Sequence, residues 1–261
     1  MWPMVKEGDV RNYKFAELDA LFGDERGTHA KTRNEIHKFL RLNKENDYNF
    51  IYDQLVSYGE ILSSIIISEY LNSVGLKSKW VDARSCIKTD QYYRDANVDF
   101  EKTSKSIKRK IKGKGLFISQ GFIGSNKKLF TTTLGREGSD YSAAIFAHAL
   151  NAELVTIWKD VRGVLNAVPR YFNKTKLLKK ISYEEAIELA FYGASVIHPK
   201  TLQPLKKKNI PLFVKSFLSP SREGTLISKQ DSTVRNIPSH IVKWNRVLLK
   251  ISSKDFSFIV E

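Results

Sequence analysis

A single cysteine, Cys86, stands in 261 residues. No internal disulfide can form, and such sparing use of cysteine points to a reducing compartment. No run of about 18 apolar residues occurs, so no membrane-spanning helix and no membrane partner are expected. The N-terminus, Met1-Trp2-Pro3-Met4-Val5-Lys6-Glu7-Gly8-Asp9, has no apolar core and does not read as a secretory signal. A cytoplasmic protein is the expectation. Internal repeats, low-complexity tracts and zinc-finger spacings are absent as well. Acidic residues are outnumbered, 28 against 43 basic, for a net charge of +15. That balance raises nucleic acid as a partner. The densest segment, Lys102 to Lys114, holds seven basic residues and no acidic one. It has no RNA-binding aromatic signature beside it and reads as the solvated face of one helix leading into a strand. No nucleic-acid partner is expected, and basic charge around a pocket equally suits a nucleotide or an acidic substrate.

With 42% hydrophobic residues the chain can bury one large domain, or one domain and a fragment. Residues 1 to about 50 are polar and irregular, with a possible surface helix over Lys31–Leu42 and no recognisable first strand. From Asp53 to Val74, Leu55, Leu62, Ile65, Ile66 and Tyr70 keep a helical period, with Asp53 as a candidate cap and Gly75 as a stop. Lys77–Ala83 reads as a short strand. Leu116–Gln120 reads as a buried strand, followed by Gly121-Phe122-Ile123-Gly124. Ser142–Leu150 is an alanine-rich helix that can lie close to a sheet, and Glu153–Trp158 is the next strand. Strand, glycine-rich loop, helix and strand in succession predict a parallel α/β unit. Ser182 and Glu185 have capping-box spacing for a helix reaching Tyr192, stopped by Gly193. Another short helix follows His198-Pro199, then strands over Ile210–Phe217 and from Gly224 to Ile227.

The stretch with most chemistry is Thr131-Thr132-Thr133-Leu134-Gly135-Arg136-Glu137-Gly138-Ser139-Asp140-Tyr141. Three threonines read as the end of a loop, and two glycines bracket Arg136-Glu137. Such a loop brings a phosphate close to backbone N–H groups at a helix N-terminus. Arg136 suits a carboxylate or phosphate, and Asp140 suits a cation. Equally, Ser139 and Asp140 can simply cap the helix of a solvent-exposed loop. Ser57-Tyr58-Gly59-Glu60 puts a glycine inside a helix, where it costs about 1 kcal/mol against alanine. A close approach there would let Glu60 face a substrate ammonium; an exposed glutamate beside a packing glycine is the plainer account. Lys159-Asp160-Val161-Arg162-Gly163-Val164 directly follows a strand, where ligands of open α/β sheets bind. Asp160 there can orient a nucleotide or a metal, and Gly163 lets backbone approach it, unless the segment is a plain turn. His198 reads as structural and Cys86 as buried, since neither has a partner at catalytic or ligand spacing.

Together, Ser57–Glu60, Asp82-Ala83-Arg84, Gly121–Gly124, Thr131–Tyr141, Trp158–Val161 with Gly163-Val164, and Phe191-Tyr192-Gly193-Ala194-Ser195-Val196-Ile197-His198-Pro199-Lys200-Thr201-Leu202 resemble successive motifs of the aspartokinases, in order. The resemblance runs from about Asp53 to about Ile227. It implies an α/β fold: a three-layer αβα sandwich of the amino-acid kinase type with a mainly parallel sheet. It implies phosphoryl transfer from ATP with Mg2+ to the side-chain carboxylate of L-aspartate. Arg136 and Asp140 would be the catalytic pair, with Ser57, Glu60, Arg136 and Asp140 binding substrate. Gly138, Ser139, Lys159, Asp160, Gly163, Val164, Arg170 and Ser195 would border the nucleotide, and no dedicated metal ligand is implied. A homodimer is an assembly the resemblance allows.

Departures from the family pattern accompany it. The family begins with a strand followed by Lys-Phe-Gly-Gly-Thr-Ser, whose lysine and glycines meet the ATP phosphates. Here only Lys14-Phe15-Ala16-Glu17 echoes it, so the N-terminal strand-helix-strand is expected to be missing and activity weak. Val168 replaces an acid, Leu165 a tyrosine, and Ser195 a phosphate-contacting lysine. The expected domains are 1–231, a kinase domain lacking its first strands, and 232–261, the start of a truncated ACT-like regulatory domain. A non-catalytic remnant that binds a ligand or a partner is the alternative.

Overall fold

Helix α1, Tyr48–Ser73, is the first complete element among the described residues of the computed structural model. The structure describes residues 47–191, 196–229, 238–240 and 242, with Asn34, Ile36, Lys38, Phe39 and Arg41 before them. The readings made for an N-terminal strand, for much of Lys31–Leu42, for Gly193 and Ser195, and for nearly all of 232–261 lie outside those residues.

Helix α1 starts earlier than its periodicity indicates. Asp47 is the cap, its carboxylate accepting from the N–H of Asn49 at 2.9 Å and of Phe50 at 3.2 Å. Asp53, the cap expected from sequence, lies inside the helix and is fully buried. Its carboxylate is used by two distant segments instead. It accepts from the Arg94 N–H, and from both the N–H and hydroxyl of Thr133 at 2.8 Å. Burial outweighs these bonds and raises its pKa. Next to it, Gln54 donates to the Thr131 carbonyl at 2.8 Å and accepts from the Thr131 N–H at 3.0 Å. Helix α1 is thereby fastened to the strand that leads into the glycine loop.

Strand β1, Ser78–Val81, pairs in parallel with β2, Leu116–Ser119. Between them lie a single turn, α2 (Ala83–Cys86), capped by Asp82, and α3 (Phe100–Lys110), capped by Asp99. Helix α3 carries much of the basic run on an exposed face and buries Thr103, Ser106 and Ile107. The three threonines are no loop end: they form strand β4, Thr131–Thr133, buried and antiparallel to β3, Ile123–Ser125. Helix α4, Gly138–Leu150, begins earlier than expected, and β5 (Val155–Lys159) follows it.

Strand β6 (Lys180–Ser182) leads into α5 (Tyr183–Phe191) through the expected capping box: the Glu185 N–H donates to Ser182 Oγ at 3.1 Å, and the Ser182 N–H to Glu185 Oε2 at 2.8 Å. Helix α6 (Pro199–Lys208) is capped by His198, whose Nδ1 accepts from the Lys200 N–H at 3.2 Å, so this histidine is structural as read. Strands β7 (Leu212–Ser216) and β8 (Thr225–Ser228) complete a four-stranded sheet of order β5-β7-β8-β6. Its β5–β7 and β6–β8 pairs are parallel and its β7–β8 pair antiparallel. The α/β architecture with a mainly parallel sheet is therefore the observed one.

Helix α4 sits between two cores. Ala144 and Ala147 face Val155, Ile157, Leu212 and Val214 of the sheet. Tyr141, Ile145 and Ala149, spaced by four, face Cys86, Ile87 and Ile107. The small side chains allow the close approach to the sheet, and Cys86 is buried as expected. Among the described residues no helix is long and apolar enough to cross a membrane.

Candidate active site

Two turns meet at the start of α4. The first, Gly121-Phe122, follows β2. The Phe122 N–H donates to Ser142 Oγ at 2.9 Å, and its carbonyl accepts from the Leu134 N–H at 2.8 Å. A Cβ on Gly121 would stand 2.9 Å from Ser139 Cα, so this approach needs glycine. The second turn is Gly135-Arg136-Glu137. Its backbone closes through the Gly138 N–H on the Gly135 carbonyl at 3.1 Å. Gly135 has φ +75°, and Glu137 takes φ 52° and ψ 32°. A left-handed conformation is costly for a residue with a Cβ, so Glu137 is held there against its preference.

Glu137 gives α4 no side-chain cap, and neither Ser139 nor Asp140 does. The plain reading of this stretch, a loop capped by Ser139 and Asp140, is corrected. Both lie inside the first turn, and the helix opens with an uncapped N-terminus suited to an anion. Ser139 is exposed there, while Gly138 is buried against Phe122. Asp140 turns the other way. Its Oδ2 lies 2.8 Å from Lys159 Nζ at the end of β5, and Glu137 Oε2 lies 3.5 Å from the same ammonium. The lysine is a shared counter-ion, and its approach makes a well-directed hydrogen bond with neither oxygen. Burial raises the pKa of Asp140; Lys159 opposes that and Glu137 adds to it.

Arg136 is exposed and has no hydrogen bond or ion pair among the described residues. Glu60 is half-buried in α1, its carboxylate has no described cation partner, and burial alone raises its pKa. The neighbouring Ile61 packs on Ala83 and Ile123, with Phe122 against the same cluster, which brings this part of α1 to the first turn. Ser57 is buried and donates its hydroxyl to the Gln54 carbonyl at 2.7 Å, leaving only an acceptor to offer.

Beyond β5, Asp160 is exposed with no described partner. Gly163 (φ +136°) is buried where a Cβ would stand 2.6 Å from Thr225 Oγ1, so strand β8 accounts for this glycine. Val164 is in the core; its N–H donates to Thr225 Oγ1 at 2.8 Å and its carbonyl accepts from Leu178 at 2.9 Å. Both backbone groups are spent within the fold, and Val164 supports the turn from below. Arg170 is exposed, its guanidinium 5.9 Å from the Tyr171 ring centre.

Sequence reasoning passed over Asp53, Asp95, Glu137 and Lys200 as parts of this site. Lys200 stood in a motif that pointed to the family, yet its partner Asp95 is 105 positions away.

The amino acid kinase family model matches residues 12–216. This chain belongs to that family. It is 37% identical over 204 residues to lysine-sensitive aspartokinase 3 of Escherichia coli, covering 77% of this chain and 45% of that protein. It is 36% identical over 260 residues to the chloroplastic aspartokinase 1 of Arabidopsis thaliana, covering 96% of this chain and 44% of the relative. The chain thus spans less than half the length of these curated relatives. Among solved structures it is similar to E. coli aspartokinase III in complex with aspartate and ADP, with a TM-score of 0.74 at 34% identity, covering 86% of this chain and 51% of the other. Clostridium acetobutylicum aspartate kinase gives a TM-score of 0.65 at 28% identity, covering 87% and 48%.

Proposed function

We propose that this chain carries the active-site region of an aspartate kinase. It would transfer the γ-phosphoryl group of ATP to the side-chain carboxylate of L-aspartate, giving 4-phospho-L-aspartate, the first step towards lysine, threonine and methionine. The observation that carries this reading is Arg136: an exposed guanidinium without a described partner, on a strained loop that opens an uncapped helix N-terminus. A guanidinium so placed suits a carboxylate in bidentate geometry, and the helix start suits a phosphate. The similar E. coli enzyme was solved with aspartate and ADP, which supports the same pairing of ligands here.

In this reading Arg136 binds a carboxylate of aspartate and Glu60 its ammonium, with Ser57 behind Glu60. Ser139 and the first N–H groups of α4, from Gly138 on, face phosphate. Lys159, Asp160 and Arg170 border the nucleotide, and Ser195 completes that side. Gly163 and Val164 hold the turn. Asp140 is paired with Lys159 until the lysine turns to phosphate, and then serves the substrate amine. The attacking carboxylate is already ionised near pH 7. Its oxygen bonds to the γ-phosphorus, the bond to ADP breaks, and ADP leaves with that electron pair, so no general base is needed. Among the described residues no three His, Cys, Asp or Glu side chains cluster as a metal site. Mg2+ would arrive on the nucleotide phosphates and supply charge neutralisation there.

Hydroxylamine trapping tests the reading. Aspartyl hydroxamate should form only with aspartate and MgATP together, and Arg136→Ala should cut the rate about 100-fold, the scale for removing one charge-stabilising donor. An unchanged rate in that variant would remove Arg136 from the site. A second reading, ligand binding without phosphoryl transfer, draws on Lys159 being already shared between Glu137 and Asp140. It predicts heat on aspartate titration with no hydroxamate at any ATP concentration.

A further inference from the structure

Arg136 makes no hydrogen bond or ion pair with a described residue, so the loop backbone is what fixes the point from which it projects. That backbone is pinned from α6. Lys200 Nζ donates to the Leu134 carbonyl at 3.2 Å and pairs with Asp95 Oδ1 at 2.8 Å, and it lies 5.2 Å from the Tyr141 ring centre. Asp95 in turn lies against Gly135, where any Cβ would collide with its carboxylate. The segment bearing Asp95 is itself fixed. The Arg94 N–H is held by buried Asp53, and the Ala96 N–H donates to the Thr133 carbonyl at 2.9 Å. At its other end α6 grips the same helix: Lys208 Nζ donates to the His148 carbonyl and to Asn151 Oδ1, both at 2.5 Å. Helix α6 is a splint along α4, and Lys200 is the end that reaches the loop.

We propose that Lys200 is a positioning residue for substrate. It fixes the Leu134–Glu137 backbone from which Arg136 projects, and Asp95 is its counter-ion on the far side of Gly135. The inference rests on the reading of Arg136 as the carboxylate-binding residue. The Asp95 carboxylate is largely exposed, and exposed ion pairs contribute little by themselves. The carbonyl of Leu134 and the face of Tyr141 supply what the ion pair lacks, since both are buried. No contact between Lys200 and substrate is required, only that the loop stay in one conformation. A displacement of about 1 Å at such a point is enough to cost about 100-fold in rate.

Two measurements on the full chain decide it, with Lys200→Met, Lys200→Arg and Asp95→Asn. The first is amide hydrogen exchange at Leu134–Glu137. Lys200→Met should speed exchange there about tenfold or more while α4 beyond Tyr141 keeps its protection, and Lys200→Arg should restore most of it. The second is calorimetric titration with L-aspartate. Lys200→Met should weaken binding about tenfold, Lys200→Arg less than about threefold, and Asp95→Asn should fall between them. Unchanged loop exchange in Lys200→Met overturns the clamp, whatever the titration shows. Faster exchange with unchanged aspartate affinity overturns the positioning role. If the parent gives no heat with aspartate, the Arg136 assignment fails and the positioning role fails with it, while the exchange data still decide the clamp. A fall in affinity that Lys200→Arg does not rescue would mean that Lys200 touches substrate, which also overturns a role through the loop.

Discussion

Glu60 holds a carboxylate half out of water with no described cation to answer it. Burial lifts its pKa above the ordinary 4.5, so the ionised form is less favourable in the folded chain than in the unfolded one. At neutral pH this costs stability. Glu60→Gln removes the cost, and the unliganded variant should unfold at a higher urea concentration than the parent. The gap should narrow as pH falls through the raised native value and close below 4.5, where folded and unfolded states both hold the proton. Aspartate affinity should move the opposite way, falling about tenfold or more with the loss of a charge-assisted hydrogen bond. A variant that gains stability and still binds aspartate like the parent would place the ammonium elsewhere. This combination, more stable and less able, is what a binding residue held ready for an absent ligand produces. The pKa of Asp140 is raised too, chiefly by burial, but there Lys159 opposes the rise and Glu137 adds to it.

Single elements repay the same treatment. The Ser182–Glu185 box closes in both directions at the start of α5, so Ser182→Ala should cost about 1 kcal/mol in urea unfolding. A change within error would show that the box is not formed in solution. That box was legible in the sequence because both its residues lie within one turn. So were the alanine face of α4, the strand β5 that follows it and the burial of Cys86. What escaped depends on distance along the chain. Asp53 reads as a cap because the cap preference of aspartate is local information, whereas its actual partners, Arg94 and Thr133, lie 41 and 80 positions away. The start of α4 was misplaced for another reason. Glutamate in a left-handed conformation is an uncommon helix boundary, and no propensity scale anticipates it. Gly163 was read as room for a ligand, yet a Cβ there meets Thr225 of a strand that comes 62 residues later. Glycines mark close approach reliably; what approaches is decided by the tertiary fold.

At the scale of the molecule, the candidate site is where everything is joined. Helix α1 reaches it through Asp53 and Gln54, β5 through Lys159, and α6 through Lys200. A ligand that binds the folded chain alone should therefore stabilise all of it. L-aspartate at about 100 times its dissociation constant should add about 2.7 kcal/mol to unfolding, read as a higher urea midpoint with an unchanged slope. A midpoint indifferent to aspartate would leave the chain without the site assigned to it. The basic excess belongs to this scale too. Lys102 and Lys105 of α3 pair with Asp99 and Glu101.

The sharing of α4 between two cores has one further consequence. Tyr141, Ile145 and Ala149 serve one core, and Ala144 and Ala147 the other, within three and a half turns of a single helix. Neither half can melt and leave the other with an intact wall. Heat or denaturant should thus take both in one cooperative step, without a half-folded intermediate. The helix that presents the glycine loop is also the hinge pin of folding, and a substitution that eases one core against it will be felt in the other.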